Sequence, residues 1–227
     1  MGQPLDESLL APSGRDEIVL SLNYDGLYGI NNINRFLQAS NPAEPTRWRD
    51  VTYKVGDPVL FYETERFRPV IFNNLKGWII AIYTTPGQIQ FDIQLDRPVT
   101  ELDSFVDDLE WVGDSTVRFT VYDVDISDDD SDALHTSVPF QVAYAVSIHK
   151  AQGLEYDSVK VVITHANEDD ITHNIFYTAI TRARADLRIY WSPETQHAVL
   201  GSLERPSNHK DVALLTARRA LAPTAGG

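Results

Sequence analysis

Arg182 and Arg184 stand two residues apart in NIFYTAITRARADLRIYW (174–191), a run otherwise dominated by aromatic and branched apolar side chains. A guanidinium group is costly to bury unless its charge meets an anion, so the pair raises the question of a negative partner. A second polar cluster lies upstream in FQVAYAVSIHKAQGLEYDSVKVVITHA (140–166), where Ser147, His149, Lys150 and Gln152 precede Gly153. Hydroxyl, imidazole and ammonium groups just beyond a strand end can contact phosphates by hydrogen bond and charge. Glu155 can accept a hydrogen bond from a ribose hydroxyl. The plain alternatives are a polar loop at a sheet edge and a solvated helix stripe, with the arginines paired to Asp157, Glu155 or Asp186.

Other chemistries find little support. The 227 residues include no cysteine, which excludes a disulfide framework and a thiolate metal site and fits a cytoplasmic protein. The six histidines (135, 149, 165, 173, 197, 209) have no spacing that pairs them as metal ligands. No GxSxG elbow is present to carry a hydrolase nucleophile. No stretch approaches the roughly 20 apolar residues needed to cross a bilayer. The net charge of −14 argues against a generally basic nucleic-acid binder, but its distribution is uneven. Residues 101–132 hold twelve acids and one arginine, so eleven of the fourteen net negative charges sit there. The rest of the surface is close to neutral and can carry a modest basic groove. The acidic run reads as a solvated face with a loop at 127–132, or as a dock for a basic protein partner.

The elements that must hold these residues follow from periodicity. DEIVLSLN (16–23) is a short apolar strand, and apolar residues at 30, 33, 36 and 37 have helical spacing. From about residue 51 the chain becomes a succession of short aromatic and β-branched segments broken by Gly, Pro and Asp, which indicates a small barrel or sandwich. Most of its aromatics (Tyr53, Phe61, Tyr62, Phe72, Trp78, Tyr83, Phe91) alternate as core residues do, with Phe67 and Phe72 the better candidates for exposure. The apolar run VKVVITHA (159–166) is expected to be a buried parallel strand, ITHNIFYTAITRARA (171–185) a helix and DLRIYWSP (186–193) another strand. That alternation gives an α/β layer with a parallel sheet. A helix is expected from Pro193 to about 221, and residues 1–15 read as a flexible lead-in.

Taken together, AYAVSIHKAQGLEYDSV and FYTAITRARADLRIY resemble motifs V and VI of superfamily 1 helicases, closest to the RecD-like branch, with a UvrD-like C-terminal domain. GLYGINNINRFLQASNP is similar to the segment around motif IV, and YKVGDPVLFYETERFRPVIFNNLKGWIIAI resembles an inserted SH3-like barrel. The likeness covers about residues 16–195. It implies a second RecA-like domain, a parallel sheet with helices on both faces, built from 16–50 plus 137–200. The barrel would occupy 51–136, and 201–227 would form a C-terminal helix and tail. It also implies that Arg182 is the arginine finger reaching a γ-phosphate. Gly153, Glu155 and Arg35 would line the nucleotide, and Ser147, His149 and Lys150 would touch single-stranded DNA. Arg184 would be a supporting charge. ATP with Mg²⁺ and 5′-to-3′ movement belong to the same expectation.

One departure bears on activity. None of the five lysines (54, 76, 150, 160, 210) is followed by Ser or Thr, so the chain contains no G-x-x-x-x-G-K-[ST] phosphate loop. The expectation is half of a motor, silent alone and completed by an N-terminal RecA-like domain. The alternative is a non-catalytic protein- or nucleic-acid-binding module on a helicase-derived scaffold.

Overall fold

The computed structural model describes residues 7–11, 14–62, 65–101, 106, 108–123 and 133–204. The loop expected at 127–132 and the helix and tail expected beyond 204 lie outside the described residues. In chain order the elements begin with α1 (Glu7–Leu10), β1 (Glu17–Ser21), α2 (Ile30–Ser40), β2 (Thr46–Trp48), β3 (Val51–Tyr53) and β4 (Pro58–Phe61). There follow β5 (Lys76–Thr85), β6 (Gln88–Leu95), β7 (Glu110–Gly113), β8 (Thr116–Tyr122), α3 (Ala133–Thr136) and β9 (Phe140–Val142). The chain then forms β10 (Ala145–Ser147), β11 (Tyr156–Val162), α4 (His173–Ile180), β12 (Ala183–Tyr190) and α5 (Pro193–Glu204).

Four strands, in the order β10-β1-β11-β12, make an all-parallel sheet. Alternation along each strand sends side chains to opposite faces. Ile18, Leu20, Val146, Val159 and Val161 pack with Ala179 of α4 and Val199 of α5. Val19, Ala145 and Val162 pack with Leu9 of α1 and Ile30, Ile33 and Leu37 of α2. The expected parallel sheet with helices on both faces is therefore present. Asn34 of α2 closes one edge: its amide donates to the Ala145 carbonyl at 2.8 Å and its oxygen accepts the Ala145 N–H at 2.9 Å. An exposed strand edge is thus paired by a side chain that mimics a neighbouring strand.

Six strands, β7-β8-β6-β5-β4-β9, form an antiparallel sheet with the short β2-β3 ribbon beside it. Its core is aromatic, with Tyr53, Phe61, Phe67, Phe91, Phe119 and Phe140 in one cluster. Phe91 and Phe140 meet edge-to-face at 5.0 Å, an arrangement that aromatic quadrupoles favour. Phe67 is fully buried, against the expectation of exposure, because a 3₁₀ turn at Glu65–Phe67 turns it onto Phe119. Phe72 is half exposed, as expected; Tyr62 and Tyr83, placed with the core aromatics by the sequence, are half exposed too.

Three local expectations change. Glu7–Leu10, within the expected lead-in, is helical and buries Leu9, because the fully buried Lys160 ammonium donates to the Leu9 and Ala11 carbonyls. Lys160 also pairs with Glu17 at 2.9 Å, which compensates its charge. The strand expected through Ala166 ends at Val162, since Thr164 and Asn167 form a reciprocal cap that starts a 3₁₀ helix at His165. The helix expected through Ala185 ends at Ile180, and the following strand begins at Ala183.

The two sheets are joined by buried polar groups. Asp57, in the VGD turn where Gly56 has φ +89°, is fully buried. It accepts from Gln38 Nε2 at 2.6 Å, Asn41 Nδ2 at 2.9 Å, the Lys54 N–H at 2.8 Å and the Tyr144 hydroxyl at 2.8 Å. Burial first, then the neighbouring Asp57 charge, pushes the Tyr144 pKa up and keeps its hydroxyl a donor. Asp57→Ala would leave four donors without this acceptor and is expected to cost at least about 3 kcal/mol. Urea unfolding monitored by tryptophan fluorescence reads that loss.

Candidate functional site

Arg182 lies in the turn between α4 and β12, where three features fix it. Thr181 ends α4 by folding its hydroxyl back onto the Tyr177 carbonyl at 2.8 Å. The Arg182 main chain is held by its carbonyl, which accepts the Tyr156 N–H at 2.8 Å. Its guanidinium is held by Nε to the Thr178 carbonyl at 2.9 Å, Nη1 to the Leu154 carbonyl at 2.9 Å and Nη2 to the Thr181 hydroxyl at 3.0 Å. All three acceptors are neutral. Of five guanidinium N–H donors, three are engaged by described residues. Among the described residues no carboxylate lies within ion-pair distance of Arg182.

Arg184 differs. It sits on β12 rather than on a helix, and it pairs with Asp16 at 2.5 Å and Asp157 at 2.9 Å. Asp157 is one of the three partners the sequence offered, with Glu155 and Asp186, while Asp16 belongs to the segment entering β1. Of the two arginines of the motif, Arg184 is already matched with acids of its own chain.

The other candidates divide between the two ends of the parallel sheet. Ser147 ends β10, level with Ser21 at the end of β1. It is buried, and its hydroxyl accepts the Lys150 N–H at 3.2 Å. The chain then turns back, with the Ala151 N–H bonded to the Ser147 carbonyl at 3.1 Å. His149 is exposed at the first bend, and the Lys150 ammonium is held by the neutral Gln141 side chain at 2.8 Å. Gly153, exposed at φ +85° with open space around it, completes the return. Glu155, also exposed, then leads into β11 at the opposite sheet end, beside Arg182. The structure therefore brings Gly153, Glu155 and Arg182 together and sets Ser147 and His149 apart from them. Arg35 is exposed on α2, which packs on the other face of the sheet, and has no hydrogen bond or ion pair among the described residues.

Sequence reasoning missed Asp16, Lys76 and Tyr156. Lys76, the first residue of β5, is buried and reaches the start of β11: its ammonium donates to Asp16 Oδ1 at 3.0 Å and to the Glu155 carbonyl at 2.8 Å. It lies 4.3 Å from the centre of the Tyr156 ring. Burial, followed by the charges of Asp16 and Asp96, pushes the Tyr156 pKa up, so the phenol stays neutral. Only the lysine ahead of a glycine in an otherwise apolar strand start hinted at this. A cavity of about 500 Å³ lies elsewhere, in the antiparallel sheet between Arg66, Asp108, Glu110, Trp111 and Arg118. Its arginines face acids at 3.8 and 3.7 Å, so it presents no surplus positive charge to a phosphate.

The match to known proteins falls on this part of the chain. Residues 142–190 match the model of the UvrD-like helicase C-terminal domain. A 55-residue segment is 31% identical to the RecBCD enzyme subunit RecD of Buchnera aphidicola, covering 24% of this chain and 9% of that protein. A 44-residue segment is 43% identical to the ATP-dependent RecD2 DNA helicase of Deinococcus radiodurans, covering 19% of this chain and 6% of the relative. The Bacteroides Pif1 helicase, solved in complex with ADP-AlF3 and single-stranded DNA, aligns with a TM-score of 0.51 at 12% identity, over 95% of this chain and 50% of that one. The last likeness concerns the fold, and with the parallel sheet it supports an α/β RecA-like architecture. The resemblance to the C-terminal region of superfamily 1, RecD-like helicases holds. This chain spans about half of the solved helicase and matches less than a tenth of the curated relatives' length.

Gly153 offers a local check on the loop. An added Cβ meets nothing within 4 Å, so Gly153→Ala carries only the strain of a left-handed backbone, about 1 kcal/mol. Chemical unfolding should show that modest loss and no more.

Proposed function

We propose that this chain is the second RecA-like motor domain of a superfamily 1, RecD-like DNA helicase and supplies half of an ATP site. The observation that carries the reading is Arg182: a half-buried guanidinium oriented by three neutral acceptors, with two donors and a charge that no described residue matches. A planar cation held in place without its anion suits a developing phosphoryl charge, because it needs no reorganisation when that charge forms. In this reading a P-loop domain from the rest of the motor presents ATP with Mg²⁺ to Arg182, and Gly153 and Glu155 line the same side. Arg35, on the far face, is the weakest member of that set.

DNA contacts are assigned to the first bend of the return loop. His149 is exposed there, and among the described residues the Lys150 ammonium is held by the neutral Gln141 side chain. Ser147, being buried, contributes by holding the Lys150 backbone and meets a DNA phosphate only if the bend opens. Nucleotide contacts at one sheet end and DNA contacts toward the other, joined by the loop 147–155, form a path along which cleft closure can move a single strand. The polarity proposed is 5′ to 3′.

The antiparallel unit is read as the inserted SH3-like barrel of this arrangement, between 16–50 and 137–200. Six short strands around one aromatic core support that reading, and the insert's pairing extends to β9. A basic protein partner for the acidic 101–132 segment belongs to the same proposal.

The test joins a RecD-like P-loop domain to the N-terminus of this chain and measures ATP turnover with and without single-stranded DNA. DNA-stimulated hydrolysis is expected in the fusion and none in the chain alone. Arg182→Ala should lower kcat by about 10³-fold or more, with nucleotide binding and folding retained. Turnover unaffected by Arg182→Ala would instead favour the binding-module alternative.

A further inference from the structure

We propose that Lys76, a residue of the antiparallel insert, is the positioning residue for Arg182 and makes the insert's seating a condition of a competent arginine. The inference rests on the reading of Arg182 as the nucleotide-facing group.

The four residues 154–157 carry the coupling, since each is tied by its main chain to one of two sources. The Leu154 carbonyl accepts the Arg182 guanidinium at 2.9 Å, and the Tyr156 N–H donates to the Arg182 carbonyl at 2.8 Å. Between and beyond them, the Glu155 carbonyl accepts Lys76 at 2.8 Å and the Asp157 N–H donates to Asp16 at 3.2 Å. Asp16 is itself bonded to Lys76 at 3.0 Å. The strand entrance that positions Arg182 is therefore gripped alternately by the arginine and by the lysine with its acid.

Lys76 is suited to transmit position rather than merely to fill space. Its three N–H donors are all engaged, by Asp16, by Asp96 at 2.8 Å and by Glu155. Its backbone is fixed in the insert, where its carbonyl accepts the Asp96 N–H at 2.9 Å and Lys76 pairs with Leu60 of β4. Its side chain is only 9% exposed, so a lost partner is not readily replaced by water. A shift of the insert moves the ammonium and with it the 155 carbonyl. Upstream, the Leu154 N–H bonds the Ala151 carbonyl at 3.0 Å, which ties 154 but leaves the Glu155 carbonyl to Lys76.

Hydrogen exchange on the complete chain, compared between wild type, Lys76→Met and Lys76→Arg, tests the coupling. Lys76→Met should speed exchange in peptides spanning 154–157 and 179–183 by at least about tenfold, while peptides from β6 and β8 stay protected; Lys76→Arg should restore part of the protection. Val121→Ala in the insert core serves as a control that lowers stability without loosening 154–157. In the P-loop fusion, Lys76→Met should lower kcat by about tenfold with nucleotide KM unchanged. Unchanged exchange at 154–157, or loosening spread equally over the whole chain, would overturn the coupling. Loosening confined to 154–157 and 179–183 with kcat intact would overturn Lys76 as a positioning residue. If Arg182→Ala also leaves turnover intact, the failure lies in the reading of Arg182, and the exchange result decides the coupling by itself.

Discussion

A buried charge must find its partners, and that constraint decides how the two sheets of this protein meet. Their hydrophobic cores are separate clusters, with Leu60 of β4 crossing from the insert into the parallel core. What crosses elsewhere is polar. Asp57 gathers donors from α2, the VGD turn and the segment entering β10, while Lys76 spans from β5 to the entrances of β1 and β11. An apolar contact tolerates sliding, because its energy depends on area and not on direction. A carboxylate with four short bonds, or an ammonium with three, loses heavily on small displacements. The border therefore gains definition of position more than net stability, since desolvation offsets much of the attraction.

The same constraint separates groups that look alike in the sequence. Arg182 and Arg184 share a motif, a helix-to-strand junction and a charge. Arg184 lies where β12 passes Asp157 and Asp16, and the chain satisfies it. Arg182 lies two residues earlier, where the described partners are carbonyls and a hydroxyl. Both have fixed orientations, but only one has unfilled electrostatic capacity.

Much of the architecture was legible because it follows from one-dimensional periodicity. The β1 and β11 runs, the α2 stripe and the Gly- and Pro-punctuated strands of the insert each declare their type. The ends of α4 and β11 were not legible, since Thr181 and the Thr164–Asn167 cap act through side-chain bonds that compete with regular pairing. The candidate residues around Gly153 and Arg182 were visible by motif. Their grouping was not, because which sheet end each occupies depends on the return of 148–155. Lys76 and Asp16 were invisible for a further reason: sixty positions separate them, and no spacing rule operates over that range.

A division of labour follows from what holds each charge. Where the chain supplies both signs, as at Lys160–Glu17 or Arg184–Asp16, the pair fixes structure and has little left to give a ligand. Where it supplies one sign and neutral acceptors, orientation is retained and the field stays open. Arg182 is of the second kind, and its orienting carbonyl at Leu154 adjoins the carbonyl that Lys76 holds. A guanidinium oriented by neutral acceptors is in this way positioned next to groups whose charges are matched within the chain.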